Sequence, residues 1–417
     1  MFNIKHRLRA KFIDLRWRLR DLTDQLLFPP AREAHMVARA RALLPPRPSH
    51  GPERLLIDLS VINNHDAGTG IQRVVRSLRD RLPEAVGPGI VIEPVIVRKL
   101  REGYVTLSGE ELKGGPTSLF FGLDFATDAV HRARAQLHAL RRTGTPLWFL
   151  VHDVLPMSHP HWFTYPSRLK YRRWMRVCAT LADGIFCVSP EVSCQVADLM
   201  SNRYKRTDLP YIITVTPGSD ITAADRQVGS EHLPQAPNLN AADFARAVLM
   251  VGTLEPRKGH ADALAAFDLL WRQGHDIPLV LIGRPGWNTA GLQDAVRQHE
   301  QYGRLLFWFD DTSDDALHAA YRYCRLTLVP SLAEGYGLPL DEALALGSPV
   351  LARDIPVFHR HRQSGIRYFP QGADVPILAE AILSTLSESD GKRSMQILPD
   401  WDATARECAT ALNCAAS

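Results

Sequence analysis

Glu334 and Glu342 are separated by seven residues in the segment Glu-Gly-Tyr-Gly-Leu-Pro-Leu-Asp-Glu. An ionised carboxylate only accepts hydrogen bonds, so two of them suit a ligand bearing pairs of hydroxyls, such as a sugar or a ribose. Gly335 and Gly337 would let that ligand lie against the backbone. The apolar run through Leu326, Leu328 and Val329 predicts a buried strand ending near Pro330. A helix is expected from about Leu340 to Leu346, closed by Gly347 as a C′ glycine, with the next strand from Ser348 to Ala352. A strand, a glycine loop and a helix N-terminus together form an anion site, because free N–H groups and the helix dipole point out of the carboxyl end of the sheet. Phosphate beside two hydroxyl-bearing rings describes a nucleotide sugar. An ordinary βα unit whose acids face water could share the Glu spacing, but the embedded Gly-Tyr-Gly-Leu-Pro argues against it.

Positive charge for such a ligand is placed upstream. Arg257 and Lys258 lie in Gly252-Thr-Leu-Glu-Pro-Arg-Lys-Gly259, between a strand (247–251) and a helix (261–271). Arginine offers a planar fork and lysine a mobile point charge, each charge-assisted bond contributing roughly 1.5–3 kcal/mol. Taken alone, adjacent basic residues are more often a solvated pair. In the N-terminal half, Gly68-Thr69-Gly70 follows a strand (54–59) and opens a helix reaching Leu82. It is not a G-x-G-x-x-G loop, so a dinucleotide fold is not indicated. A tight βα turn would explain it equally. Arg73, in the first turn of that helix, opposes the dipole by several tenths of a kcal/mol, which suggests a ligand-related reason for its position. His152-Asp153 ends a buried strand (146–151), where open α/β sheets bind ligands, although a locally bonded structural histidine would look the same. Residues 159–176 are rich in aromatic and basic side chains; they read as an amphipathic helix against the sheet or as a sugar-stacking surface.

These segments resemble the retaining GT-B glycosyltransferases of family 4, the glycosyl transferases group 1. Glu334 to Glu342 matches that family's Glu-x7-Glu signature, and Gly-Thr-x-Glu-Pro-Arg-Lys-Gly its diphosphate-binding loop. The glycine loop at Gly70 and the His-Asp element match more weakly. The resemblance, covering about residues 54–411, implies an α/β GT-B fold: two Rossmann-like parallel-sheet domains facing across a cleft. It implies Glu334 at the donor sugar and Glu342 at the ribose, with Gly335, Tyr336, Gly337 and Leu338 acting through their backbone. Arg257 and Lys258 would hold the diphosphate, and Gly283 would lie beside the base. Gly70 would face the donor phosphate, His152 would stand beside the reaction centre, and Arg73 and Asp153 would lie on the acceptor side. The implied reaction is transfer of a hexose, with mannose favoured, to a hydroxyl of a glycan or lipid-linked glycan; GDP-mannose is the favoured donor, with UDP- and dTDP-sugars as alternatives. No cofactor and no metal site are expected; Arg257, Lys258 and helix N-termini would supply the charge. A nucleotide-sugar epimerase, a phosphorylase and a non-catalytic nucleotide-sugar-binding scaffold would share this fold.

Composition sets the frame. The chain has 417 residues, 45% apolar and 23% charged, with a net charge of +4. That is a soluble globular profile with no bias towards nucleic acid. Six cysteines form no C-x-x-C pair, which suits reduced packing thiols in a cytoplasmic protein. No apolar run approaches the roughly 18 residues of a membrane span, and no signal peptide is visible. Residues 1–28 carry an apolar stripe (Ile4, Leu8, Phe12, Leu15, Leu19, Leu22, Leu26) opposite Lys5, Arg7, Arg9, Lys11, Arg16, Arg18 and Arg20. Such a basic amphipathic helix suits an anionic membrane surface, on the inner face of the plasma membrane, or a partner, or its own protein. The expected organisation is a helical extension (1–50), an acceptor domain (51–220), a linker (221–246), a donor domain (247–394) and a final helix crossing back (395–417).

Overall fold

The computed structural model describes residues 29–47, 51–64, 66, 68–98, 103–362, 365–388 and 395–414. The basic segment 1–28 lies outside the described residues. The remainder folds into two parallel-sheet domains. The first sheet contains β1 (Arg54–Asp58), β2 (Val91–Val97), β3 (Tyr104–Thr106), β4 (Ser118–Gly122), β5 (Leu147–Val151), β6 (Gly184–Cys187) and β7 (Tyr211–Thr214), in the order β3-β2-β1-β4-β5-β6-β7. Only the short β3 runs antiparallel, against β2. β4, β5 and β6 are buried along their whole length, which is why they read as unbroken apolar runs: helices cover both faces.

The second sheet contains β8 (Val248–Val251), β9 (Leu279–Ile282), β10 (Leu306–Phe309), β11 (Leu326–Val329), β12 (Val350–Arg353) and β13 (Arg367–Phe369), in the order β10-β9-β8-β11-β12-β13. In each sheet the strand order reverses once, between β1 and β4 and between β8 and β11. At a switch point the loops leaving the two central strands diverge and open a crevice. The crevice of the second sheet therefore lies between the loop after β8, with Arg257 and Lys258, and the loop after β11, with Glu334.

The chain crosses between domains twice, and the crossings touch. Ser219 N donates to the Pro399 carbonyl at 2.9 Å. A Cβ on Gly218 would lie 2.4 Å from the Trp401 nitrogen. The helix Trp401–Cys414 then packs on the first domain, with Trp401, Ala405, Cys408, Ala409 and Leu412 in its core. Trp401 is 1% exposed. Trp401→Ala should lower the unfolding free energy by about 3–5 kcal/mol in urea titrations, because the cavity opens where the returning helix is anchored.

Two boundaries differ from the expected organisation. The helix Pro30–Arg41 does not belong to a separate extension: its buried Glu33 pairs with Arg203 at the first domain, and Val37 enters that core. Residues 221–246 form short turns and a capped helical turn, Ala241–Phe244, rather than a free linker. Leu233, Leu239 and Phe244 anchor them to the second domain's core. Among the described residues, no helix is long and apolar enough to cross a membrane.

Candidate functional site

The two loops at the second switch point touch. Gly259 has φ +74°, and a Cβ there would lie 2.2 Å from the Pro330 carbonyl oxygen, so only glycine fits. This contact delivers the basic pair to Glu334. Lys258 Nζ donates to Glu334 Oε1 at 2.5 Å, Ser331 Oγ to the same oxygen at 2.8 Å, and Arg257 Nη1 to Oε2. Arg257 Nε donates to Glu255 at 2.7 Å. Burial would raise the Glu334 carboxyl, but Arg257 and Lys258 outweigh it and hold its pKa down at about 2. Burial likewise opposes the Arg257 charge, and Glu334, Glu255 and Asp153 overcome it, raising the guanidinium above its ordinary value. The cluster is an ionised network in a nearly dry site, with the Glu334 side chain 5% exposed.

Glu342 lies on the helix Leu338–Ala345 and accepts the Tyr321 hydroxyl at 2.9 Å. Burial, then Glu342, pushes that hydroxyl well above its usual range. Arg73 reaches Glu342 from the first domain. This pair joins the residue expected on the acceptor side to the carboxylate read as the ribose partner. The Gly68–Gly70 loop has a local role as well, since Thr69 and Gln72 form a capping box that starts the helix Gly70–Val86. A Cβ on Gly70 would meet Leu338 Cδ1 at 3.3 Å across the cleft.

The Glu-x7-Glu loop seats directly on the first domain. The Gly335 carbonyl accepts Ser189 Oγ at 2.7 Å, and the Tyr336 hydroxyl donates to the Pro217 carbonyl at 3.2 Å. A Cβ on Gly335 would lie 1.9 Å from the His152 carbonyl oxygen. His152 is thereby brought to the loop that carries Glu334. Its Nε2 is buried and has no hydrogen-bond partner among the described residues. Buried polar atoms are almost always paired, so this nitrogen keeps unused hydrogen-bonding capacity, as do the buried His260 Nδ1 and Trp148 Nε1. Burial depresses the ring to about 4, so it is neutral at neutral pH. Asp153 Oδ1 accepts Leu155 N at 3.0 Å; burial raises its carboxyl and Arg257 pulls it back. Gly283 packs where a Cβ would lie 2.1 Å from the Gly252 carbonyl oxygen, which lets the β8 and β9 loops approach. At the rim, Trp287 Nε1 and Asn288 Nδ2 both donate to the Trp162 carbonyl at 3.1 Å.

Tyr321, Ser331, Glu255 and Ser189 belong to the site without having been singled out in the sequence. Glu255 and Ser331 were within or beside recognised motifs. Tyr321 and Ser189 were not legible, because their roles depend on which helix or loop packs opposite.

His152→Gln has a pH signature. The folded value of about 4 lies below the ordinary 6.5, so the neutral ring's stabilising contribution is present above pH 6.5 and is lost as pH falls towards 4. His152→Gln should therefore flatten the acid-side fall of Tm in that window, leaving the parts due to His131 and His260, depressed by burial to about 4 and about 3, and to His159, which burial also lowers.

With this geometry in place, similarity to known proteins becomes informative. Residues 235–397 match the family described as glycosyl transferases group 1. The serotype-specific mannosyltransferase WbdA of Escherichia coli is 35% identical over 361 residues, 82% of this chain and 43% of its own length. The chain thus spans less than half of the curated relatives it matches over most of its own length. A phosphatidyl-myo-inositol mannosyltransferase of Mycobacterium leprae is 29% identical over 40% of this chain and 45% of its own. Among solved structures, Anabaena HepE in complex with UDP-glucose aligns with a TM-score of 0.55 at 15% identity, covering 87% of this chain and 96% of that one. Sucrose-phosphate synthase from Thermosynechococcus elongatus aligns with a TM-score of 0.55 at 18% identity, over 87% and 95%.

Proposed function

This chain has the GT-B fold and its residues 235–397 belong to the glycosyl transferases group 1 family; on that premise we propose that it transfers a hexose, mannose in the first instance, from a nucleotide diphosphate sugar to a hydroxyl of a glycan or lipid-linked glycan, with retention of configuration. The observation that carries this reading is the buried Glu334–Arg257–Lys258 cluster, on a loop that packs against the His152 backbone.

In this reading the donor diphosphate lies on Arg257, Lys258 and the N-terminus of the helix Leu338–Ala345, and the ribose meets Glu342. The sugar lies between Glu334 and His152, whose neutral Nε2 takes a sugar hydroxyl. Negative charge grows on the diphosphate as its bond to the anomeric carbon breaks, and fixed cations in a dry site stabilise that change most. Glu334 is held by two cations and is a poor nucleophile, which favours attack by the acceptor hydroxyl on the face the diphosphate is leaving. The acceptor oxygen forms the new bond to the anomeric carbon, and its proton passes to the departing phosphate oxygen. Mannose is favoured because WbdA and the phosphatidyl-myo-inositol enzyme are named mannosyltransferases. UDP-sugars stay in the test because HepE was crystallised with UDP-glucose. Cell-surface polysaccharide synthesis at the inner face of the membrane would give the basic segment 1–28 a surface to meet.

The test is incubation of the full chain with GDP-mannose, UDP-glucose or dTDP-rhamnose and a mannose oligosaccharide primer, with NMR of the product linkage. Transfer from GDP-mannose with the donor's anomeric configuration supports the proposal. An inverted linkage sinks the mechanism. Nucleotide binding without transfer to any acceptor points to a scaffold.

A further inference from the structure

Glu342 is committed on both sides, to the Tyr321 hydroxyl and to Arg73 of the opposite domain. Arg73 begins a row on the helix Gly70–Val86, in which residues 73, 77 and 81 are four apart and share one face. Ser77 Oγ donates to Asp220 Oδ2 at 3.5 Å and Arg81 Nη2 to Asp220 Oδ1 at 2.9 Å. Arg81 Nε pairs with Asp402 at 3.1 Å. Asp220 follows the first crossing between domains, and Asp402 is in the first turn of the returning helix, beyond the second. An ionic ladder thus runs from the carboxylate read as the ribose partner to the hinge. Arg73 stands between two of its rungs, since its Nε is also 3.8 Å from Asp220 Oδ2. Asp314 adds a more distant favourable charge.

We propose that Arg73 is a donor-responsive latch: it holds Glu342 until a nucleoside diphosphate binds and passes to Asp220 when the ribose hydroxyls take over the Glu342 carboxylate. The proposal rests on the reading of Glu342 as the ribose partner. The exchange keeps the guanidinium paired throughout, so the ligand need not strand a half-buried charge. It also makes the latch a competitor. A site whose binding-competent form is only partly populated binds more weakly by that fraction, and removing the competitor should tighten binding.

The experiment is calorimetric titration of the full-length protein with GDP and UDP, and with the 2′,3′-dideoxy counterpart of whichever binds. Arg73→Met should bind the ribonucleotide about fivefold tighter, the scale of one modest ion pair, with no such gain for the dideoxy compound. Asp220→Asn should weaken ribonucleotide binding, because the released guanidinium loses its receiving carboxylate. A purely structural role would move both variants in the same direction. Arg73→Lys should lie between wild type and Arg73→Met, and serves if the methionine variant does not fold. Equal or weaker ribonucleotide binding by Arg73→Met, or by Arg73→Lys where only that variant folds, overturns the latch. Glu342→Gln separates the premise from the proposal. If it leaves the preference for ribose over dideoxyribose intact, the ribose reading itself has failed. If it erases that preference while the Arg73 variants show no gain, only the latch has failed.

Discussion

Glu334→Gln is expected to cut turnover by about 10²–10³-fold while nucleoside diphosphate still binds, at least as tightly as to wild type. The turnover loss is the scale of one preorganised electrostatic partner removed at the reacting centre. The retained affinity follows from the pairing within the site, where Arg257 and Lys258 direct their hydrogen bonds to Glu334. An amide of the same shape leaves both cations short of negative charge, and a diphosphate supplies it. The same imbalance predicts a stability loss of about 3–5 kcal/mol without ligand, the usual penalty for breaking a buried pair from one side. Nucleotide should recover part of it. Thermal unfolding with and without the nucleotide checks this: a variant whose Tm gains no more from nucleotide than wild type would refute the account. The pH dependence has a definite sign. The folded carboxyl at about 2 lies below its ordinary 4.5, so its stabilisation is full above pH 4.5 and is lost as pH falls towards 2. Glu334→Gln should remove that acid-side loss and converge on wild type at low pH.

Much of this site could be read before any fold was known, for a physical reason. Glu334, Arg257 and Lys258 are on loops that leave central strands of one parallel sheet, and glycine punctuation together with apolar runs marks both loops. Their convergence follows from the strand order β9-β8-β11-β12, which the sequence suggested only through the resemblance. What stayed hidden depends on contacts between elements far apart in the chain. Nothing in the helix around Tyr321 announces that its hydroxyl meets Glu342. Arg73 stood out because it opposes a helix dipole, but its partner is contributed by the other domain. Residues 221–246 read as a linker because their apolar residues are sparse and aperiodic, yet Leu233, Leu239 and Phe244 suffice to fix them. The edge strands β3 and β13 have three residues each, too few for a period to register. In the aromatic run at 159–176, Tyr171 and Trp174 are buried in the helix Tyr165–Leu181, whereas residues 159–164 precede that helix.

Gly335→Ala should separate donor binding from catalysis more cleanly than any change of charge. A glycine in this loop could be needed for a left-handed backbone, for room beside a ligand, or for room beside protein. Gly337, with φ +95°, is of the first kind; Gly335 does not have a left-handed φ. What a methyl group there would meet is the carbonyl of His152, 1.9 Å away, followed by Asp153 Cβ at 3.1 Å. Both belong to the other domain. The second domain therefore keeps its own structure with alanine at 335, and Arg257, Lys258 and Glu342 stay available to a nucleotide. The domains must move apart by more than an ångström to admit the methyl group, since real Cβ contacts closer than about 3 Å essentially do not occur. In the proposed reading, His152 Nε2 then withdraws from the sugar. Misplacement of a catalytic contact by about 1 Å can cost 10²-fold in rate, so kcat should fall by at least about that factor while the nucleotide dissociation constant changes by less than about threefold. Isothermal titration and steady-state kinetics on the same preparation would decide it. Near-normal kcat would mean that the cleft turns over in a more open state than the one described. Loss of nucleotide binding would mean that the Gly335 backbone reads the ligand directly and that its closeness to His152 is incidental.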